Sequence, residues 1–234
     1  AAQKLAASGS FRIENGLAST SFMFDGLLRG GQMLLGPLYA QLPAHAVNLH
    51  VATTFGPGGI GIDSLDYDDR DALRLSGSLG FDRKGNLDKL DLTRFAATFP
   101  QAYTRYGTAL VQKLTGISQL GISGSVAGSL DMDPGGFKAF DLAVANVSID
   151  SHGAGIAVAG LNGKVDWRAR TSRPATTLGW DALALYRIAF GPAKLALQDQ
   201  DGALVLEKPI ATGVLGGSFQ FSRLAWRPDG NKSQ

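Results

Sequence analysis

The sequence predicts a mainly β protein: an elongated, curved antiparallel sheet of repeated hairpins (a β-groove) with one short amphipathic helix near 100–114. Three observations carry this. Apolar residues recur at every second position along most of the chain, the mark of strands with one sheltered face. Glycine is abundant, 31 of 234 residues, against a usual share of about 7%. And one strand opening recurs: Gly, Ser, then alternating apolar residues. It occurs at Gly9-Ser10-Phe11-Arg12-Ile13, Gly77-Ser78-Leu79-Gly80-Phe81, Gly128-Ser129-Leu130-Asp131-Met132 and Gly217-Ser218-Phe219-Gln220-Phe221. Residues 77–92 align with 128–142 when Asn86 alone is gapped, each reading as strand, tight turn, strand.

In chain order, a first hairpin joins Phe11 and Ile13 to Phe22 and Phe24 through Glu14-Asn15-Gly16. Residues 27–42 hold several glycines and Pro37, which argue against one long helix and for a short strand or turn. Val47-Asn48-Leu49-His50-Val51 alternates cleanly, 56–59 is a glycine-rich turn, and Ile60 to Tyr67 resumes the strand pattern. From 98 to 114 the rhythm changes. Phe99, Tyr103, Tyr106, Leu110, Val111 and Leu114 fall at helical spacing, Pro100 suits a first turn, and Gly116 stands where a helix would stop. Gly107 inside that segment costs about 1 kcal/mol relative to Ala, so the helix must lean on packing. Alternation returns after 120 and continues to Phe221, and residues 170–177 read as a loop or linker. The whole chain, 1–234, is expected to be one β domain cut from a larger protein, with a sub-boundary near 116–121.

The chemistry is sparse. Formal charge is +2 and charged residues make up 18% of the chain, with Lys and Arg scattered among Asp and Glu. No basic stripe points to nucleic acid. Cysteine is absent, which excludes disulfides, thiolate metal sites and a cysteine nucleophile. No apolar run is long enough to span a membrane as a helix. His45, His50 and His152 have no ligand spacing, and Gly121-Ile122-Ser123-Gly124 lies in a strand pattern rather than at a nucleophile elbow. The aspartates at 63, 66, 68, 69 and 71 enclose neither the Gly nor the Glu that a calcium loop needs, and read as a solvated turn. Asp199 and Asp201 read as a second acidic turn. The glycine-rich stretches lack a Walker lysine and a following helix. No catalytic residue, metal site or cofactor is expected, and the protein reads as a non-enzyme.

The aromatic and aliphatic strand positions are the candidate site. Phe11, Ile13, Phe22, Phe24, Leu79, Phe81, Leu130, Met132, Phe219 and Phe221 are the expected lining of an apolar groove. An ordinary dry sandwich core would show the same alternation. Sheltering a lipid chain of about 16 carbons is worth about 12 kcal/mol, which needs a continuous face rather than one pocket residue.

The C-terminal third adds a resemblance. Residues 155–167 read as an apolar strand, a glycine turn at Gly160-Leu161-Asn162-Gly163, and a strand ending in Trp167. Pro209-Ile210 then leads to Leu215-Gly216-Gly217. This succession, over about residues 147–227, resembles the YdbH-like branch of the AsmA-type, TamB-related envelope proteins. The resemblance implies a periplasmic section of a Gram-negative protein anchored in the inner membrane. Its sheet would form an apolar trough carrying phospholipid between membranes, with a small outer-membrane lipoprotein as partner and no nucleic acid. A pure trough does not require the helix near 100–114, which would plug or cap one end or lie along the groove. The competing expectation is a non-catalytic structural or interaction domain of the envelope with a dry core.

Overall fold

The computed structural model describes residues 2–35, 38–117, 119–151, 153–169 and 176–228. It is mainly β, with antiparallel pairing and one short helical segment. Two compact units form: Ala1–Gly116 with Leu130–Pro134, and Ile117–Ser129 with Gly135–Gln234.

In the first unit, β1 (Ala2–Gln3) precedes the long strands β2 (Ala6–Asn15) and β3 (Thr20–Arg29). The short hairpin β4 (Gln32–Leu35) and β5 (Leu38–Gln41) follows, where the sequence suggested a strand or turn, and β4 also pairs with β1. Then come β6 (Val47–Gly56), β7 (Gly59–Asp69), β8 (Leu73–Asp82) and β9 (Leu87–Phe99). The order β2-β3-β6-β7-β8-β9 is a meander, each strand antiparallel to the next. Among the described pairings β2 has β3 alone as neighbour, and all ten of its residues are exposed.

The helical segment begins just after β9, with a π-helical turn (Tyr103–Gly107) leading into α1 (Thr108–Thr115). Gly116 ends it in the left-handed conformation, φ 74°, its N–H donating to Gln112 O. Amphipathic packing and this C-cap hold a helix otherwise too short to be stable.

β10 (Gly121–Asp133) and β11 (Gly136–Ser151) are joined by a tight turn, the residues of β10 up to Ser129 and all of β11 belonging to the second unit. β12 (Ile156–Arg168) pairs along β11 and runs through 160–163, where the sequence suggested a turn; the glycines there accompany register shifts instead. Beyond β12 each strand line is broken into two. β13 (Thr176–Trp180) and β14 (Ala182–Leu185) both pair with β12, parted at Asp181. β15 (Ile188–Phe190) and β16 (Ala193–Gln200) are parted at Gly191-Pro192. β17 (Ala203–Leu206) and β18 (Ile210–Val214) are parted at residues 207–209. β19 (Gly217–Phe221) and β20 (Ala225–Trp226) close the series. Pro192 and Pro209 sit in two of the breaks, where the missing N–H removes no ladder bond. Of the expected 170–177 loop, 170–175 lies outside the described residues, and Thr176 and Thr177 instead open β13.

The Gly-Ser motif does not open strands as its pattern suggested. In three of four copies the glycine sits inside a strand, and the reason is close backbone approach. A Cβ on Gly9 would lie 2.2 Å from Asp25 O, on Gly77 2.0 Å from Asp91 O, and on Gly128 1.7 Å from Asp141 O. The last two are equivalent positions of the aligned hairpins, so that repeat is structural as well as sequential. Only Gly217 stands at the start of its strand.

Gly128→Ala should therefore destabilise the protein by about 2 kcal/mol or more. Gly58→Ala, where nothing lies within 4 Å of an added Cβ, should leave stability unchanged. Urea unfolding midpoints of the two variants test this; equal midpoints would refute the close-approach explanation.

Candidate functional site

Strand register in the first unit sorts side chains by face. One row runs Ile13–Phe22–Thr53–Ile62–Leu79–Leu90 across six strands, and the next runs Phe11–Phe24–Val51–Leu65–Gly77–Leu92. A third continues Phe55–Ile60–Phe81–Leu87. Six of the ten expected lining residues thus share one face. Phe11 is 72% and Ile13 55% exposed, and Phe55, Ile60 and Leu87 are also exposed. The opposite face is polar, with the row Asp25–His50–Asp66–Ser76–Arg94. His50 Nδ1 lies 3.2 Å from Asp25 Oδ2 on that face.

The other four expected residues lie on other strands, Leu130 and Met132 in the part of β10 grouped with the first unit. Leu130 and Met132 alternate on β10 and are half-buried. Phe219 and Phe221 belong to the second unit, their rings 4.7 Å apart, with Phe190 6.2 Å from Phe219. They face the same side as Thr212 and Ile210, their row-mates on β18. At the far end of that unit's apolar face Trp167 is fully buried, stacked 5.2 Å from Phe140, its Nε1 donating to Gly202 O.

One end of the first unit's apolar face is covered by the chain itself. Leu42 and Leu5 pack on Leu28 and Val47, and Ala102 and Tyr106 of the helical segment pack near Ala72 and Ala97. At this end stands Asp69, which the sequence reading placed in a solvated turn. It is fully buried, because it continues the phase of Leu65 and Tyr67 on the apolar side. Asp63, Asp66 and Asp68 take the polar side or its margin.

Asp69 is held from three directions. Arg105 Nη1 donates to both carboxylate oxygens at 3.0 and 2.7 Å. Tyr106 Oη donates to Oδ2 at 2.5 Å, and His45 Nε2 lies 2.8 Å from Oδ1. Tyr67 Oη lies 2.7 Å from Tyr106 Oη; since Tyr106 gives its proton to Asp69, Tyr67 is the donor. Burial pushes the Asp69 carboxyl upward, but the bonds from Tyr106, Arg105 and His45 outweigh it and hold the group below its ordinary 3.8. Burial likewise raises the Tyr67 phenol, to about 12, and raises Tyr106 further with the bond it gives Asp69.

The arrangement can lock a helical segment onto a sheet. As chemistry it offers less, since the recorded partners of His45 are the carboxylates of Asp69 and Asp71. Among the described residues no group of three or more His, Cys, Asp or Glu is placed to hold a metal ion. Sequence reasoning missed this network, although a signal existed. Asp69-x-Asp71-Ala72-Leu73-x-Leu75 recurs, with Gly202 inserted, as Asp199-x-Asp201-Gly202-Ala203-Leu204-x-Leu206. Asp199 is also fully buried and accepts from Arg168 N at 3.1 Å.

No family model, curated protein or solved structure matches this chain.

The network sets a pH window. Asp69 is proton-poor in the fold relative to the unfolded chain, so its stabilisation is full above about pH 5 and is lost as pH falls through 3.8 toward its lower folded value. The two tyrosines bind protons more tightly when folded, so their contribution holds below pH 10 and fades as pH rises toward 12. Asp69→Asn should cost about 3 kcal/mol at neutral pH and flatten the acid limb of a Tm-against-pH curve. Tyr106→Phe should flatten the alkaline limb. Unchanged limbs in both variants would show the network to be idle.

Proposed function

We propose that this chain is a non-catalytic lipid-binding β domain, sheltering acyl chains on the apolar sheet face of its first unit. A section of a periplasmic, inner-membrane-anchored protein that moves phospholipid between membranes, with an outer-membrane lipoprotein as partner, is the setting proposed for it. The observation that carries the reading is the set of apolar rows crossing six strands, covered at one end and exposed at the other. Six strands spaced about 4.8 Å apart make a face about 24 Å wide, broad enough to receive a chain laid across successive strands. The rows near Phe11 and Ile13 hold no charged side chain, so a lipid tail could slide without meeting one tight site.

The competing reading, a dry structural domain, draws on the covered end, where Leu5, Leu42 and the helical segment already occupy the face. The two readings differ in what the exposed end does. Protein purified without detergent should release phospholipid on organic extraction and show lipid-bound species in native mass spectrometry. Phe11→Asp and Ile13→Asp lie where side chains are exposed, so they should leave the fold intact and lower occupancy at least tenfold. A protein that is lipid-free and takes up no fluorescent fatty acid would return the face to the dry reading.

A further inference from the structure

Five of the seven exposed large apolar side chains among the described residues of the second unit gather at one end of its sheet, Leu224 and Trp226 lying at the other. The turn at 153–155 joins β11 to β12, that at 186–187 joins β14 to β15, and that at 215–216 joins β18 to β19. These turns stand side by side, because β12 pairs with β14, β14 with β15, and β15 with β18. Tyr186 N also donates to Gly155 O at 2.7 Å. Tyr186 is 80% and Leu215 85% exposed, and Ile156, Ile188 and Phe219 are exposed on the strands just behind them.

The backbone at these tips is unfavourable for the residues it carries. Tyr186 and Arg187 have φ of 48° and 74°, and Leu215 has 49° before Gly216 at 79°. Two-residue turns of this hand favour Asn-Gly, and a bulky side chain at positive φ is strained. Burial does not explain Leu215, which projects into solvent, and explains little of Tyr186, one edge of whose ring lies over Gly155 while most of the side chain stays exposed. Strain retained where a side chain protrudes points to a use for that side chain.

We propose that these three turns contact the surface of a lipid bilayer, Tyr186 and Leu215 entering the interfacial layer while Arg187 meets anionic headgroup phosphate. The turns at 153–155, 186–187 and 215–216 carry no acidic residue and one arginine, the charge that a negatively charged membrane selects. Tyrosine suits the interface because its ring is apolar and its hydroxyl stays wet. Single residues projecting from adjacent tight turns match a fluid layer that closes around each of them. This contact is separate from acyl-chain binding by the first unit and does not depend on it.

The test is co-sedimentation of the full chain with two kinds of vesicle: phosphatidylcholine alone, and phosphatidylcholine doped with phosphatidylglycerol. The unmodified protein should pellet with both, more with the anionic ones. The double variant Tyr186→Asn, Leu215→Asn, which suits positive φ and so keeps the turns, should lose binding by about a hundredfold. Arg187→Gln should lose only the gain from phosphatidylglycerol. Circular dichroism and extracted lipid should be unchanged in all of them. Binding to neither vesicle, or equal binding by the double variant, overturns the proposal. So does self-association that the double variant abolishes in a vesicle-inert protein, which would assign the tips to a second copy. Vesicle binding by a protein that carries no extractable lipid upholds this proposal while sinking the acyl-chain reading; a lipid-loaded but vesicle-inert protein does the reverse.

Discussion

A carboxylate buried in a protein must be paired, and Asp69 imposes that requirement on the first unit. Its β7 position points it into the apolar side of the sheet, where an unpaired charge would be heavily penalised. Arg105, Tyr106 and His45 meet the requirement, the first two from the helical segment and the third from the stretch before β6. The helical segment that supplies two of them is short and contains Gly107, so it could not persist alone. The pairing therefore works in both directions: the aspartate needs the helix, and the helix is anchored by the aspartate. Covering of the apolar face at that end follows, because Ala102 and Tyr106 come down on Ala72 and Ala97 only when the segment is docked.

A second constraint acts within the strands. Where Gly9, Gly77 and Gly128 pass their neighbours, the adjacent carbonyl occupies the space a Cβ would need. Near Gly77 the register also shifts, between Ser76 and Gly77 on β8 and between Ile62 and Leu65 on β7. Bulges and glycine contacts of this kind bend a sheet locally and increase its twist. Side chains and backbone thus share one logic: large apolar residues where the face must be continuous, none where strands must close up.

These facts explain what could be read in advance. Alternation is a property of neighbours in sequence, so the β class, the hairpins and the helix that ends at Gly116 were all legible. So was the face shared by Phe11, Ile13, Phe22, Phe24, Leu79 and Phe81, since period-two phase carries through each hairpin. Leu130, Met132, Phe219 and Phe221 obey the same alternation, but alternation cannot say which strands lie together. The Asp69 network was hidden for a related reason. Arg105 is 36 residues away, and a cluster of aspartates looks the same whether one of them turns inward or none does. Phase was the missed signal, since Asp69 falls in step with Leu65 and Tyr67, and Asp199 with Leu195 and Leu197.

The apolar side of the first unit is then best understood by what the chain spends on each part of it. Near Asp69 it commits the segments that carry Leu5 and Leu42, a helix and a buried ion pair, all of them sealing the sheet. Near Phe11, Ile13, Phe55 and Ile60 it commits none, although the side chains there are as large as any buried in the first unit. A sheet built only for stability would gain by replacing these residues with polar ones, since exposed aromatics contribute nothing to folding and invite aggregation. Their retention beside so well sealed an end makes sense if the open part is completed by something outside the chain. An acyl chain, the occupant proposed for it, would supply that cover without demanding a hydrogen bond from a surface that has none to give.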